Sequence, residues 1–112
     1  MTLLYYDEIF QRHLTGAHPE QPERLARTWK ELNDRGLVEK CKRTPCKPAS
    51  RKQLERVHAA DYIDQVKAYC NAGGGQIESD TVCSAESFSA AEMASGTACD
   101  AVGRVLKGED KT

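Results

Sequence analysis

Apolar positions along the chain fall into short runs and helix-spaced stripes. Residues 2–6, TLLYY, form a short apolar run rich in β-forming side chains, the pattern of a buried strand. Asp7 stands at its end, where strands of α/β sheets often face a site. Leu25, Trp29 and Leu32 recur at spacings of four and three, one face of a helix. Pro22 suits the first turn of that helix and Gly36 its stop, with Leu37 folding back on the last turn. Residues 40–49, KCKRTPCKPA, are broken by Pro45 and Pro48 and read as a loop or a short edge strand. Ser50 and Gln53 match a capping box, which starts a short helix toward Val57. Tyr62, Ile63, Val66, Tyr69 and Cys70 then share a helical face, which NAGGG at 71–75 ends. A flexible loop is expected from there to about Ala85. From Glu86 to Leu106 a third long stripe follows: Phe88, Ala91, Ala94, Ala98, Ala101, Val102 and Val105. Ser84 suits its N-cap and Gly108 its stop, and its many small residues predict close packing on a neighbour.

These elements make a helix-rich α/β chain with fewer strands than its helices need to cover. With 112 residues it is one domain of modest size or part of a larger one. Hydrophobic residues make up 39%, with two Phe and one Trp, so the expected core is thin. Sixteen basic residues against seventeen acidic ones leave a net charge of -1, which argues against a dedicated nucleic-acid binder or adhesion to an anionic membrane. No run is long enough to span a bilayer, and MTLLYYDEIF lacks the basic start of a signal peptide. The expected location is therefore the cytoplasm, or the nucleus in a eukaryote. The odd number of cysteines, five, reads as reduced thiols.

Local chemistry offers several candidates. His13, His18 and His58 include no H-x-x-x-H pair and no Asp-x-His, so packing or hydrogen bonding is the expected role. Cys41 and Cys46 lack a partner pair for zinc, and a small zinc-stabilised domain is the weakest of the readings. Gly73–Gly75 lacks the Gly-Lys-Ser/Thr of a phosphate loop. Arg24, on the first turn of a helix, could fix loop carbonyls, bind an anion or be a solvated surface residue. Asp80-Thr81 could form a simple turn or accept a ligand's N–H.

The combination is more specific. Gly16-Ala17-His18-Pro19-Glu20 with Pro22-Glu23-Arg24-Leu25 resembles the N-terminal signature of the histone deacetylase superfamily, Gly-x-His-Pro-Glu-x-Pro-x-Arg-Leu. Val57-His58 and Tyr62 resemble its Val-His-x-x-x-Tyr. Asp80-Thr81, Ser84 and the Ala/Gly-rich helix through Val102, Val105-Leu106 and Gly108-Glu109 resemble its next segment. The likeness is to the bacterial and class II branch, with its acetylpolyamine and acetoin-utilisation relatives.

The resemblance implies an arginase/deacetylase α/β fold, a parallel sheet flanked by helices, and a zinc-dependent amidohydrolase. It implies acetyl-lysine or acetylpolyamine as substrate. A metal would lower the pKa of water and an oxyanion stabiliser would stand opposite. It assigns His18, Pro19 and Arg24 to the pocket lining, with Arg24 on an inner acetate channel. Asp80 becomes the rim residue that holds the substrate backbone, with Thr81 beside it. The family's Asp-x-His, second Asp and His-His motif are absent from these residues, and the His-His motif is expected just past Thr112. Residues 1–112 thus read as the N-terminal portion of a single deacetylase domain, truncated before its catalytic motifs. No catalytic residue, bound zinc or turnover is expected of the chain alone, and self-association through exposed apolar faces is. The alternative is a non-enzymatic α-rich interaction module derived from a deacetylase.

Overall fold

A computed structural model describes residues 1–112. The apolar run at the N-terminus forms strand β1, Leu3–Tyr5, and the basic segment forms β2, Lys42–Thr44. The two pair in parallel, Leu3 opposite Lys42 and Tyr5 opposite Thr44. Alternate residues of a strand present their N–H and C=O to opposite edges. Thr2 accordingly turns its carbonyl to Lys42 N, while Leu3 N–H donates to the Thr112 carbonyl at 2.7 Å on the other side. Asp7 is not left at a bare strand end: its carboxylate caps a 3-10 turn, Glu8–Arg12, by accepting Ile9 N–H at 2.9 Å.

Helix α1 spans Pro22–Asp34, with proline in the first turn as expected. Its Trp29 stacks on Tyr6, ring centroids 4.1 Å apart, and Arg43 of β2 lies 4.6 Å over the same indole. That sandwich seats α1 on the strands. Gly36, at φ 64°, closes the helix, and Leu37 N–H reaches back to the Leu32 carbonyl. Ser50 and Gln53 make both bonds of the capping box at the start of α2, Arg51–Glu55. Helix α3, Ala60–Asn71, buries Ile63 and Cys70. Its Tyr62 and Tyr69 stay largely exposed, so the expected stripe is only half covered.

The segment expected as a loop is a hairpin. Strands β3, Gly74–Glu78, and β4, Thr81–Ser84, pair antiparallel. Helix α4 runs Ser87–Leu106 and closes at Gly108, where Glu109 N–H reaches the Arg104 carbonyl. Its N-cap is Glu86 rather than Ser84, because the Ser84 side chain is engaged elsewhere.

The face on which α4 packs also differs from expectation. Ser87, Ala90, Gly96 and Thr97 are buried, whereas Ala91, Ala94, Ala98, Val102 and Leu106 are exposed. The cause is backbone contact. A Cβ on Gly96 would lie 2.2 Å from the Lys47 carbonyl oxygen and from Ala49 N. Here the 47–49 segment lies directly on the helix: Ala49 N–H donates to the Glu92 carbonyl at 2.9 Å and Lys47 N–H to Thr97 Oγ1 at 3.2 Å. The small residues do serve close packing, but on a loop and along the polar side.

One carboxylate ties these parts together. Asp100 on α4 accepts from Tyr5 O–H at 2.9 Å, Lys47 Nζ at 2.9 Å and Arg104 Nε at 2.7 Å. The Lys47 bond, then the Arg104 bond, hold its pKa well below the usual carboxylate range. Burial, then Asp100, push the Tyr5 phenol up. At the neighbouring corner Asp110 accepts from the N-terminal amine at 2.9 Å and pairs with Lys42 at 3.3 Å. Eleven of 112 residues are buried, and the molecule is a slab of 40 × 33 × 19 Å. Its radius of gyration, 15.6 Å, exceeds the ~13 Å usual for this length. The core is as thin as composition implies, so polar ties and close contacts carry much of the fold.

Two stability tests follow from this packing. Gly96→Ala is expected to destabilise the chain by about 3 kcal/mol, because backbone must move to admit the methyl. Gly103→Ala on the same helix has open space and should stabilise by about 0.5–1 kcal/mol through helix propensity. Urea midpoints of the two variants give the comparison. Asp100→Asn should lower stability at pH 7 by about 2 kcal/mol. Asp100 has a depressed folded pKa, so its contribution is complete above the unfolded carboxylate value near ~4 and is lost as acid protonates it below that. Urea titrations at neutral and acid pH should therefore show a smaller acid loss in Asp100→Asn than in the parent chain.

Candidate functional site

The hairpin between α3 and α4 is built by its glycines. Gly73, Gly74 and Gly75 have φ of 115°, 73° and 138°, a region side chains with a Cβ rarely enter. Gly74 also faces the Cys83 carbonyl oxygen, which a Cβ would meet at 2.4 Å. The run is thus a close-packed turn rather than slack chain. Tyr69 O–H donates to the Gln76 carbonyl at 3.1 Å, and Gln76 Nε2 donates to the Ser79 carbonyl at 3.0 Å. These bonds tie β3 to α3 and to the tip at Ser79. A register shift between Gln76 and Glu78 turns the strand there.

Asp80 is exposed at that tip, and its carboxylate accepts only a long contact from Thr81 Oγ1, at 3.3 Å. The Asp80 backbone is held more firmly. His18 Nε2 lies 2.8 Å from the Asp80 carbonyl oxygen, and His18 Nδ1 accepts Glu20 N–H at 3.0 Å. An Nδ1 that accepts leaves the proton on Nε2, so the two bonds assign the neutral Nε2–H tautomer. The loop carrying His18 is itself folded: Gly16 sits at φ 65°, His18 N–H donates to the Gly16 carbonyl, and the buried Thr15 hydroxyl donates to the Glu20 carbonyl. Glu20 is shared, since its carboxylate accepts from Arg24 at 2.6 Å across one exposed helical turn. Arg24 lines a cleft of about 340 Å³ with Phe10, His13 and Thr28. The structure therefore joins His18 to Asp80 and Thr81, sets Arg24 behind them across Glu20, and leaves Pro19 exposed.

A second tie lies under the loop. His13 Nδ1 is 2.6 Å from the buried Ser87 Oγ, which also accepts Ser84 N–H at 2.7 Å. Ser84 Oγ accepts Leu14 N–H at 3.0 Å. The pair latches the loop onto the start of α4. His13 and Ser87 are 74 positions apart, so neither residue carries a local signal of the contact. Beneath them is a cavity of about 320 Å³, walled by Ile63, Val66, Phe88 and the buried Cys70 and Cys83. Burial, then the neighbouring Cys83, push the Cys70 thiol pKa up. The glycine turn and β3 lie between the two cysteines along the chain, so the sequence carries no local sign that they line one cavity.

No three His, Cys, Asp or Glu side chains come together as a metal-holding group. His13 is spent on Ser87, His18 on Asp80, and His58 packs against Tyr62 with ring centroids 5.4 Å apart. Residues 1–112 do not by themselves fit the zinc that the resemblance implies. What the site offers is an exposed carboxylate and hydroxyl at a braced tip, able to accept and orient donors of a passing ligand. No helix is long and apolar enough to cross a membrane.

Comparison with known proteins gives this geometry a context. Residues 18–112 match the histone deacetylase domain family. The chain is 36% identical to a histone deacetylase-like amidohydrolase of Pseudomonas aeruginosa, over 96% of its own length and 33% of the relative's. It is 29% identical to the human polyamine deacetylase HDAC10, over 95% of its length and 17% of the relative's. The solved HDA15 HD domain superimposes with a TM-score of 0.91 at 24% identity, covering all of this chain and 34% of that one. The likeness to the HD domain shows the α/β deacetylase fold. The chain spans about a third or less of the length of these proteins, and it belongs to the histone deacetylase family.

Proposed function

We propose that residues 1–112 form the first wall of the pocket of a zinc-dependent deacetylase that hydrolyses acetyl amides of lysine side chains or polyamines. The observation that carries this reading is the braced tip: Asp80 keeps its carboxylate open to solvent while His18 fixes its backbone. A substrate acceptor needs that combination of freedom at the carboxylate and rigidity behind it. Thr81 stands beside it, and His18, Pro19 and Arg24 line the pocket near its base, with Arg24 on the inner channel. The relatives' names supply the substrate class, a polyamine deacetylase in one case and histone deacetylases in others. On this reading the chain is the N-terminal portion of a single deacetylase domain, and the metal and the groups that act on its water come from outside residues 1–112.

The exposed stripe of α4 supports the same reading. Val102 and Leu106 are 59% and 81% exposed, on a helix whose other side already carries the loop 47–49. An apolar stripe of that kind is what a neighbouring layer of a larger α/β domain covers. It equally supports the second reading, a non-enzymatic interaction module, in which a partner or another copy covers it.

A chimera separates the two. Residues 1–112 replace the matching third of the Pseudomonas amidohydrolase. Turnover of an acetyl-lysine peptide or acetylpolyamine is expected from it and not from residues 1–112 alone. In the active chimera, Asp80→Ala should lower kcat/KM about 10- to 100-fold, the worth of one charge-assisted hydrogen bond. A folded, metal-loaded chimera without turnover would overturn the deacetylase reading and favour the module.

A further inference from the structure

We propose that Gln76 is a positioning residue for Asp80 and works as a pair with His18. The turn at the hairpin tip is two residues long, Ser79 and Asp80, between the partnered Glu78 and Thr81. Both carbonyls of that turn are held by side chains from outside it. Gln76 Nε2 donates to the Ser79 carbonyl at 3.0 Å, and His18 Nε2 to the Asp80 carbonyl at 2.8 Å. A peptide unit is planar, so a bond to its carbonyl sets the tilt of the whole plane. The Ser79 carbonyl lies in the plane that enters Asp80, and the Asp80 carbonyl in the plane that leaves it. Holding both fixes φ and ψ of Asp80, and with them the direction of its Cα–Cβ bond. The side-chain torsions alone stay free. His18 without Gln76 leaves the entering plane free to turn, and the carboxylate sweeps with it.

Two further features let Gln76 reach the turn. The register shift leaves Ile77 without a cross-strand partner, and such a bulge re-aims the side chains beside it. The Gln76 backbone is itself anchored, because Tyr69 O–H donates to its carbonyl at 3.1 Å. That contact depends on Gly75, where a Cβ would lie 2.8 Å from the Tyr69 hydroxyl oxygen. One line of bracing thus starts on α3, passes through Tyr69 and Gln76, and ends on the peptide before Asp80. The other comes from the 13–20 loop through His18 and ends on the peptide after it. Neither touches the carboxylate, which keeps only its long contact with Thr81. Gln76 therefore acts on how well a substrate donor is held, and not on the reacting amide. The effect on substrate rests on the proposed role of Asp80; the ordering of the turn does not.

The test has two arms. In the 15N-labelled 112-residue chain, side-chain amide relaxation compares Gln76 with the exposed Gln21 and Gln65. The Gln76 amide is expected to be ordered, with an order parameter above ~0.6, and the other two to fall below it. Gln76→Met keeps the length of the side chain and removes its donor. It should lower the order parameters of the Ser79 and Asp80 amides while those of α4 hold, and Gln76→Lys, which restores a donor, should recover them. In the active chimera, Gln76→Met should raise KM about 3- to 10-fold with kcat nearly unchanged. A Gln76 amide as mobile as that of Gln65 in the parent chain overturns the proposal, and this comparison needs no variant to fold. So does an Asp80 amide as ordered in Gln76→Met as in the parent, or a fall in kcat at unchanged KM. A chimera without turnover bears on the deacetylase reading alone, since the relaxation arm stands without it.

Discussion

The approach of the 47–49 segment to the backbone of α4 at Gly96 is the constraint on which the fold rests. A helix can carry a peptide segment at that distance only where it has no Cβ. Once the segment is seated, Ala49 N–H finds the Glu92 carbonyl, Lys47 N–H finds Thr97, and the Lys47 side chain reaches Asp100. Asp100 in turn takes Tyr5 from β1 and Arg104 from its own helix. A chain with eleven buried residues has little hydrophobic burial to draw on. Backbone contact and charge-assisted bonds therefore carry a larger share than in a full-sized domain.

The other end of α4 does for the rim what Gly96 does for the sheet. Ser87 in its first turn holds His13, and Ser84 holds Leu14, so the loop that follows is anchored before it reaches His18. His18 then holds the hairpin tip. Asp80 is thus tied to α4 twice, through β4 along the chain and through the 13–20 loop across space. That double attachment lets a residue on a turn keep a defined place while its carboxylate remains in water. Loops that carry function need such a scaffold behind them.

Local chemistry was legible in the sequence wherever a rule acts within a few residues. The capping box at Ser50 and Gln53, proline opening α1, and glycine closing α1 and α4 all appear where spacing put them. Strand β1 was legible as a run of β-formers, and β2 as one of two options for the basic segment. The family was legible too, because its motifs are strings of neighbours: His18-Pro19-Glu20, Pro22 and Arg24. What failed depended on partners far away. Three glycines in succession read as slack chain. The reason they are a tight turn, the Cys83 backbone opposite Gly74, is a tertiary contact. Ser84 has the chemistry of an N-cap, but the Leu14 amide claims its oxygen first. His18 and Asp80 were each singled out, but the bond that joins them spans 62 positions.

The burial of α4 is the most instructive of these differences. Hydrophobic periodicity assigns the core face of a helix by assuming that the most apolar stripe is covered. On α4 much of that stripe, Ala91, Ala94, Ala98 and Val102, faces out, while Ser87, Gly96 and Thr97 face in. Both faces are adapted for contact, by different physics. The inner face is small and polar, fitted to a backbone that brings its own hydrogen-bonding groups. The outer face is small and apolar, fitted to a surface of side chains. A helix prepared on two sides suits an inner layer of an α/β architecture. The match of the chain to about a third of the HDA15 HD domain, with all of its residues superimposed, sets α4 within an α/β deacetylase fold. The periodicity thus marks a second contact surface on α4, which residues 1–112 leave open.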